Sequence, residues 1–247
     1  MSHPIFYVAH YPSSELACKM LSVCVESIQK YYPYSDCWVL YTPSKYPVNL
    51  PLNPKLHVEE NPILNSSVIG AYKKYLDSGE TRKAVFLQDT VILKGTFSSM
   101  LDLPFGFVWH FSEYSGVDSI EISDFRTKLA EFVENHNGLR WVGCMGGCLF
   151  SDRPSLIQLW NSINFLEYTS HPSRAKAIMD LERVIGVHAY AIGLIPINEI
   201  RSLCGSIFDM PNAYEEWYTG QDLSDIERIP YAQLAVKAFC RRLVNGV

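Results

Sequence analysis

Long apolar runs are missing from the 247 residues. No window approaches 18 consecutive apolar side chains, so no membrane-spanning helix is expected. Clustered positive charge is missing too. Net charge is −5, and the nearest approach to a basic run is the pair Arg241-Arg242, which excludes the usual footprint of a nucleic-acid binder. The opening Met1-Ser2-His3-Pro4 carries no basic segment and leads into Ile5-Phe6-Tyr7-Val8-Ala9, too short for the apolar core of a signal peptide. The seven cysteines form no CxxC pair, and Cys144 and Cys148 lack companions at zinc-binding spacing. Reduced, mostly buried thiols of a cytoplasmic protein are the expectation. Three motifs are also lacking: GxGxxG, GxxxxGK[ST] and GxSxG. Their absence disfavours a dinucleotide enzyme, a P-loop enzyme and a serine hydrolase of the strand–elbow–helix kind.

What is present is a core-forming pattern. Apolar residues make up 48% and charged residues 19%. A chain of this length can bury roughly three quarters of its unfolded surface, so it needs neither disulfide nor metal to fold. Ile5 to His10 reads as a buried strand. Ser13 or Ser14 can cap a helix from Glu15 to Tyr31, whose Leu16, Met20, Leu21, Val23, Cys24 and Ile28 recur at helical spacing, and Pro33 ends it. Trp38 to Tyr41 is the next strand, giving a β-α-β unit that is expected to be a right-handed parallel crossover.

Further along, Lys55 to Val58 reads as a strand, Ser66 or Ser67 to Tyr75 as a helix ended by Gly79, and Ala84 to Leu93 as a strand interrupted at Gln88-Asp89. Phe107 to Phe111 is another strand, and Asp118 to His136 contains a helix. Trp141 to Phe150 is a glycine-split strand followed by a helix from Ser155 to Ile163. Ser173 to Ile192 is a long helix, and Leu194 to Ile197 a strand. Residues 202 to 230 read as irregular, and Tyr231 to Val244 as a terminal amphipathic helix. Alternating strands and helices without a linker predict one α/β domain over 1–247, with a mostly parallel central sheet flanked by helices. Its working surface is expected at the carboxyl ends of the strands.

Four places there can carry chemistry. His10-Tyr11 follows the first strand, where polar rings can meet a nucleobase and ribose or simply close a strand. Gln88-Asp89-Thr90 breaks an apolar run. A carboxylate in such a place needs a partner or a metal, and a hard cation on a diphosphate needs carboxylate oxygen. The alternative is a tight turn bonded to its own backbone. Gly143, Gly146 and Gly147 fall within five positions, which suggests close backbone approach to a ligand or a packing bulge. Asp180 and Glu182 lie two apart on a helix and do not share a face. At most one is therefore expected to point into a site, as a general base for a hydroxyl, unless the segment is a solvated turn. Trp217, with Tyr214 and Tyr218, is a candidate for sugar stacking or for packing on the core.

Together these elements resemble the GT-A-fold nucleotide-sugar glycosyltransferases in order and spacing over roughly residues 4 to 200. The β-α-β of Ile5 to Leu40, the strand Val85 to Leu93 at an acidic motif, the glycine-bearing Trp141 to Phe150, and Glu182-Arg183 ahead of Gly193-Leu194-Ile195-Pro196 carry the likeness. The resemblance implies a single Rossmann-like domain, with a nucleotide-binding half over about 1–95, an acceptor half over about 96–230 and a C-terminal helix over 231–247. It implies transfer of a sugar from a nucleotide-sugar donor to a hydroxyl of a glycan or other acceptor. His10, Tyr11, Gln88, Asp89, Thr90 and Arg183 would bind the donor, Gly146, Gly147 and Trp217 would lie on the acceptor side, and Glu182 or Asp180 would act as base. The family's Asp-x-Asp is represented by Gln88-Asp89-Thr90, so a Mn²⁺ or Mg²⁺ ion would rest on Asp89 alone. Arg183 stands where a second carboxylate is usual and can serve the departing diphosphate. The competing readings are another α/β nucleotide enzyme, such as a nucleotidyltransferase, and a non-catalytic relative that binds a partner or glycan.

Overall fold

The structure is a computed structural model that describes residues 3–63, 68–97, 100–112, 134, 141–169, 174–207 and 235–237. The first strand, β1 (Ile5–His10), is apolar on both faces and buried along its length, as a central parallel strand must be. Helix α1 (Glu15–Tyr31) follows, its first turn capped by the Ser14 hydroxyl, which accepts from the Ala17 N–H. Strands β2 (Cys37–Tyr41) and β3 (Leu56–Glu60) come next, then helix α2 (Val68–Ser78) and strand β4 (Ala84–Gln88). Gly79, just past α2, holds a φ of 70°, a left-handed helix end that suits glycine.

The central sheet has six strands in the order β3-β2-β1-β4-β9-β6. The first four are parallel to one another. Strand β9 (Leu149–Ser151) runs antiparallel to both β4 and β6 (Phe105–Phe107). The expected mixed α/β architecture, mostly parallel and flanked by helices, is therefore what the chain forms.

Alternation along the strands sorts the core into two layers. Phe6, Val8, Val39, Val85 and Leu87 pack with Leu21, Cys24, Val25 and Ile28 of α1 on one face. Ile5, Tyr7, Ala84 and Phe86 pack with Val68, Tyr72 and Tyr75 of α2 on the other. Phe86 is the hub of that second layer, ringed by Tyr72 at 4.8 Å, Tyr7 at 5.4 Å and Tyr75 at 5.7 Å between ring centres.

The second half departs from the sequence expectations. Ala84 to Leu93 is two strands, because the chain turns at Asp89-Thr90 and β5 (Val91–Leu93) leaves the central sheet. Phe107 to Phe111 is likewise divided between β6 and β7 (His110–Ser112). Trp141 to Phe150 divides into β8 (Val142–Cys144), a 3₁₀ turn at Met145–Gly147, and β9. Helix α3 (Arg153–Ser162) starts from the cap Asp152, two residues earlier than expected, because its carboxylate accepts from the Ser155 N–H. A short helix, α4 (Phe165–Thr169), was not foreseen, and α5 (Arg174–Ala191) matches the long helix closely.

No strand forms at Leu194 to Ile197. Gly193 at φ 74° turns the chain off α5, and the Ile195 N–H donates back to the Ala189 carbonyl instead of joining a sheet edge. Within the expected irregular stretch, Ser202 and Ser206 form parallel bridges to Phe107 and His110. Ala235–Lys237 is a strand, β10, antiparallel to β5, where a helix was expected. An open β5 edge offers backbone partners that three residues of α-helix could not use. The remainder of 231–247, the helix expected at 118–136 apart from Glu134, and Ser66, Ser67, Tyr214, Trp217 and Tyr218 lie outside the described residues.

Candidate functional site

Strand order fixes where a ligand can enter. The chain moves outward from β1 through β2 to β3, then returns to place β4 on the other side of β1. That reversal makes the carboxyl ends of β1 and β4 the topological switch point of the sheet, where open α/β folds bind ligands. The residues standing there are His10 and Gln88-Asp89.

They form a tight pair. His10 Nδ1 lies 2.5 Å from Asp89 Oδ2, and the His10 side chain is fully buried while that of Asp89 is 14% exposed. The backbone sets this up. Parallel register places Ala9 opposite Gln88, and the Asp89 N–H donates to the Ala9 carbonyl at 3.1 Å. The Tyr11 N–H also approaches Asp89 Oδ2, at 3.4 Å. A carboxylate offers only acceptors, so Nδ1 is the donor in this pair. Nε2 faces Cys18 Sγ on α1 at 3.9 Å. Tyr11 itself is 43% exposed, and Thr90 is half-buried.

One residue before Asp89, the chain turns to a second cluster. The Gln88 side-chain amide donates to the Gly146 carbonyl at 3.0 Å. The Gly146 N–H donates to Glu182 Oε1 at 2.7 Å, and the Tyr72 hydroxyl donates to the Gly147 carbonyl. Three side chains from β4, α5 and α2 thus grip one two-glycine turn. Gly146 and Gly147 have φ of 66° and 65°, a left-handed conformation that other residues adopt at a cost. A Cβ on Gly147 would also lie 2.6 Å from Val68 Cγ2.

Helix α5 brings Glu182 there because it packs on β8 almost without a gap. A Cβ on Gly186 would sit 2.2 Å from the Val142 carbonyl oxygen. Residues 181 to 187 are buried without interruption, so the helix is enclosed all round. Asp180 and Glu182 are accordingly both buried, along with Arg183, although they point from different faces. The solvated turn weighed for this segment is not found. Burial lowers the Arg183 guanidinium from its usual value, opposed by the carboxylates of Glu182 and Asp180. Arg183 lies 5.3 Å from the Phe111 ring centre and donates from Nη1 to the Met179 carbonyl at 2.6 Å.

The structure therefore gathers His10, Tyr11 and Asp89 into one cluster and Gln88, Gly146, Gly147 and Glu182 into another, joined through the Gln88-Asp89 peptide. Cys18 and Tyr72 belong to these clusters and were not singled out from the sequence. Nothing local marks them, since each reaches the site only through helix packing. Asp89 is the residue here that would hold a divalent cation, whose remaining oxygens would come from water and a ligand's phosphates. Asp89 is the one carboxylate of its motif, and its Oδ2 is engaged by His10 and Tyr11. Among the described residues no group of three His, Cys, Asp or Glu converges as metal ligands.

No protein-family model and no curated protein sequence matches the chain. Among solved structures, galactosyltransferase LgtC in complex with donor and acceptor sugar analogues is similar over 95% of this chain and 86% of its own. The identity is 11% and the TM-score 0.43. An active-site mutant of LgtC aligns over 76% of this chain and 69% of its own, at 13% identity and a TM-score of 0.35. Likeness this distant assigns neither activity nor substrate. No helix among the described residues is long and apolar enough to cross a membrane.

Proposed function

We propose that this protein is a sugar transferase that takes a nucleotide-sugar donor at the carboxyl ends of β1 and β4. The observation that supports it is the adjacency of the two clusters: a switch point holding His10 and Asp89, next to a glycine turn held by Gln88, Tyr72 and Glu182. Exposed Tyr11 and half-buried Thr90 suit the base and ribose of the donor. The Gly146-Gly147 turn is buried, with Val68 and Tyr72 against Gly147, so its part on the acceptor side would be to position the side chains that hold it.

In this reading Glu182 positions the turn. Glu182 is also the candidate base for an acceptor hydroxyl near that turn, with Asp180, on another face of the helix, the alternative, and Arg183 the candidate partner of the departing diphosphate.

The test is a thermal-shift panel of UDP-, GDP-, CMP- and dTDP-sugars, each with and without Mn²⁺. A donor at a hundred times its dissociation constant stabilises the folded state by about 2.7 kcal/mol. One nucleotide class is expected to raise the melting temperature without Mn²⁺, and Asp89→Ala to abolish that rise. Silence from all four classes would sink the reading. The engagement of Glu182 favours a second one, binding without transfer. Sugar release to water or an acceptor, measured on the donor that binds, separates the two.

A further inference from the structure

We propose that Cys18 is a base-assisted nucleophilic thiol, with His10 taking its proton and Asp89 orienting the imidazole, and that it forms mixed disulfides with low-molecular-weight disulfides. Three separate elements build this line: Cys18 on α1, His10 at the end of β1, and Asp89 in the turn after β4. The sulfur stands 3.9 Å from Nε2, and the other ring nitrogen stands 2.5 Å from the carboxylate. A nucleophile, a base and a group that fixes the base's tautomer, each within reach of the next, is the arrangement that activates a weak nucleophile. At 3.9 Å the sulfur is within the longer reach of a hydrogen bond to sulfur.

Access agrees with the geometry. Of the six described cysteines, all free thiols, Cys18 alone is not buried. It lies one turn into the 17-residue α1, where the helix amino end favours a developing thiolate. Burial, with the carboxylates of Asp89 and Glu15, pushes the resting thiol above its ordinary value. Cys18 therefore rests as S–H, and a base has work to do.

The small disulfide is itself the oxidant. The Cys18 proton passes to His10 Nε2 as the sulfur attacks one sulfur of the small disulfide. A new S–S bond forms as the old one breaks, and the departing thiolate takes the proton back from Nε2 and leaves as a thiol. The inference does not rest on the transferase reading, because its readout is a covalent adduct and not donor binding.

Folded protein is treated with glutathione disulfide, quenched in acid, and each cysteine is followed by peptide mass spectrometry. Cys18 is expected to be modified first, and His10→Ala to slow it by about a hundredfold. Added imidazole is expected to restore much of the lost rate in His10→Ala, which a merely structural role for His10 would not produce. Rates in denaturant, where all variants should react alike, calibrate the reagent. Equal rates at Cys18 in wild type and His10→Ala, or no rescue by imidazole, would overturn the proposal. Should His10→Ala fail to fold, Asp89→Asn reads the same quantity. A roughly tenfold slowing supports the proposal, and an unchanged rate overturns it.

Discussion

The two ends of the parallel strands handle charge in opposite ways. At the amino ends, Asp36 before β2 and Glu80 and Arg82 before β4 pair with each other near the surface. Arg82 donates to Asp36 at 2.7 Å and to Glu80 at 2.6 Å, and Lys55 adds a contact to Asp36 at 3.5 Å. At the carboxyl ends most polar groups apart from Tyr11 are buried or half-buried, and several bind backbone: Glu182 and Gln88 hold Gly146, and Tyr72 holds Gly147. Partly solvated ion pairs add modest stability and are screened by salt. Buried polar groups that hold main chain in a left-handed turn confer little that a simple core would not, unless the turn itself is used. The difference teaches where to look for function in this molecule: at the end where polar groups serve geometry.

The comparison can be broken most forcefully at Gly186. Gly186→Ala places a methyl against backbone on β8, 2.2 Å from the Val142 carbonyl oxygen and 3.0 Å from the Gly143 Cα. Backbone cannot give way as a side chain can, so a loss of about 3 kcal/mol is expected in urea unfolding. Next in size is Glu182→Ala, which strands the buried Gly146 N–H. It should cost about 1–3 kcal/mol and weaken any donor-induced rise in melting temperature. Glu182→Gln keeps an acceptor and should lose distinctly less stability. Equal losses in the two variants would show that charge, and not the hydrogen bond to Gly146, is what Glu182 supplies.

At the opposite end the expected effects shrink. Arg82→Ala should cost about 1 kcal/mol, and the loss should narrow as salt is raised. The smallest effect is in pH. Arg82 holds the Glu80 carboxyl below its usual range against the opposing pull of burial. Burial raises the Asp36 carboxyl, but the bond and charge of Arg82, with Lys55 and His57, outweigh it and hold that group low as well. Both folded values lie below the unfolded ones, so their contribution is full above about pH 4 and is lost as pH falls through the lowered values. Arg82→Ala should therefore flatten the acid limb of stability against pH. An unchanged acid limb would mean that these pairs contribute nothing there.

How legible these parts were depends on which forces set them. Ile5–His10 and Glu15–Tyr31 emerge at the expected bounds, because a doubly buried strand and a capped helix with one apolar face are determined by local pattern and cap chemistry. Asp89 was legible as costly within an apolar run, and its partner His10 as a polar ring at a strand end. That they are partners, 79 residues apart, was not legible, since only the parallel register of β1 and β4 brings them level. The glycines near 146 were visible as an anomaly, but their clamp required three elements from different parts of the chain.

By itself, then, the sequence determined the β-α-β start, the helix ends marked by the Ser13-Ser14 pair and Gly79, and the places where polar residues interrupt apolar runs. Those are properties of a few neighbouring residues, and period, capping and turn chemistry settle them. Tertiary structure alone decided that Val91–Leu93 leaves the sheet, that Ala235–Lys237 becomes a strand beside it, and that Asp180, Glu182 and Arg183 are enclosed. Each of those depends on which edge or surface is left uncovered once the rest has packed. A residue's own neighbours in sequence carry no record of that.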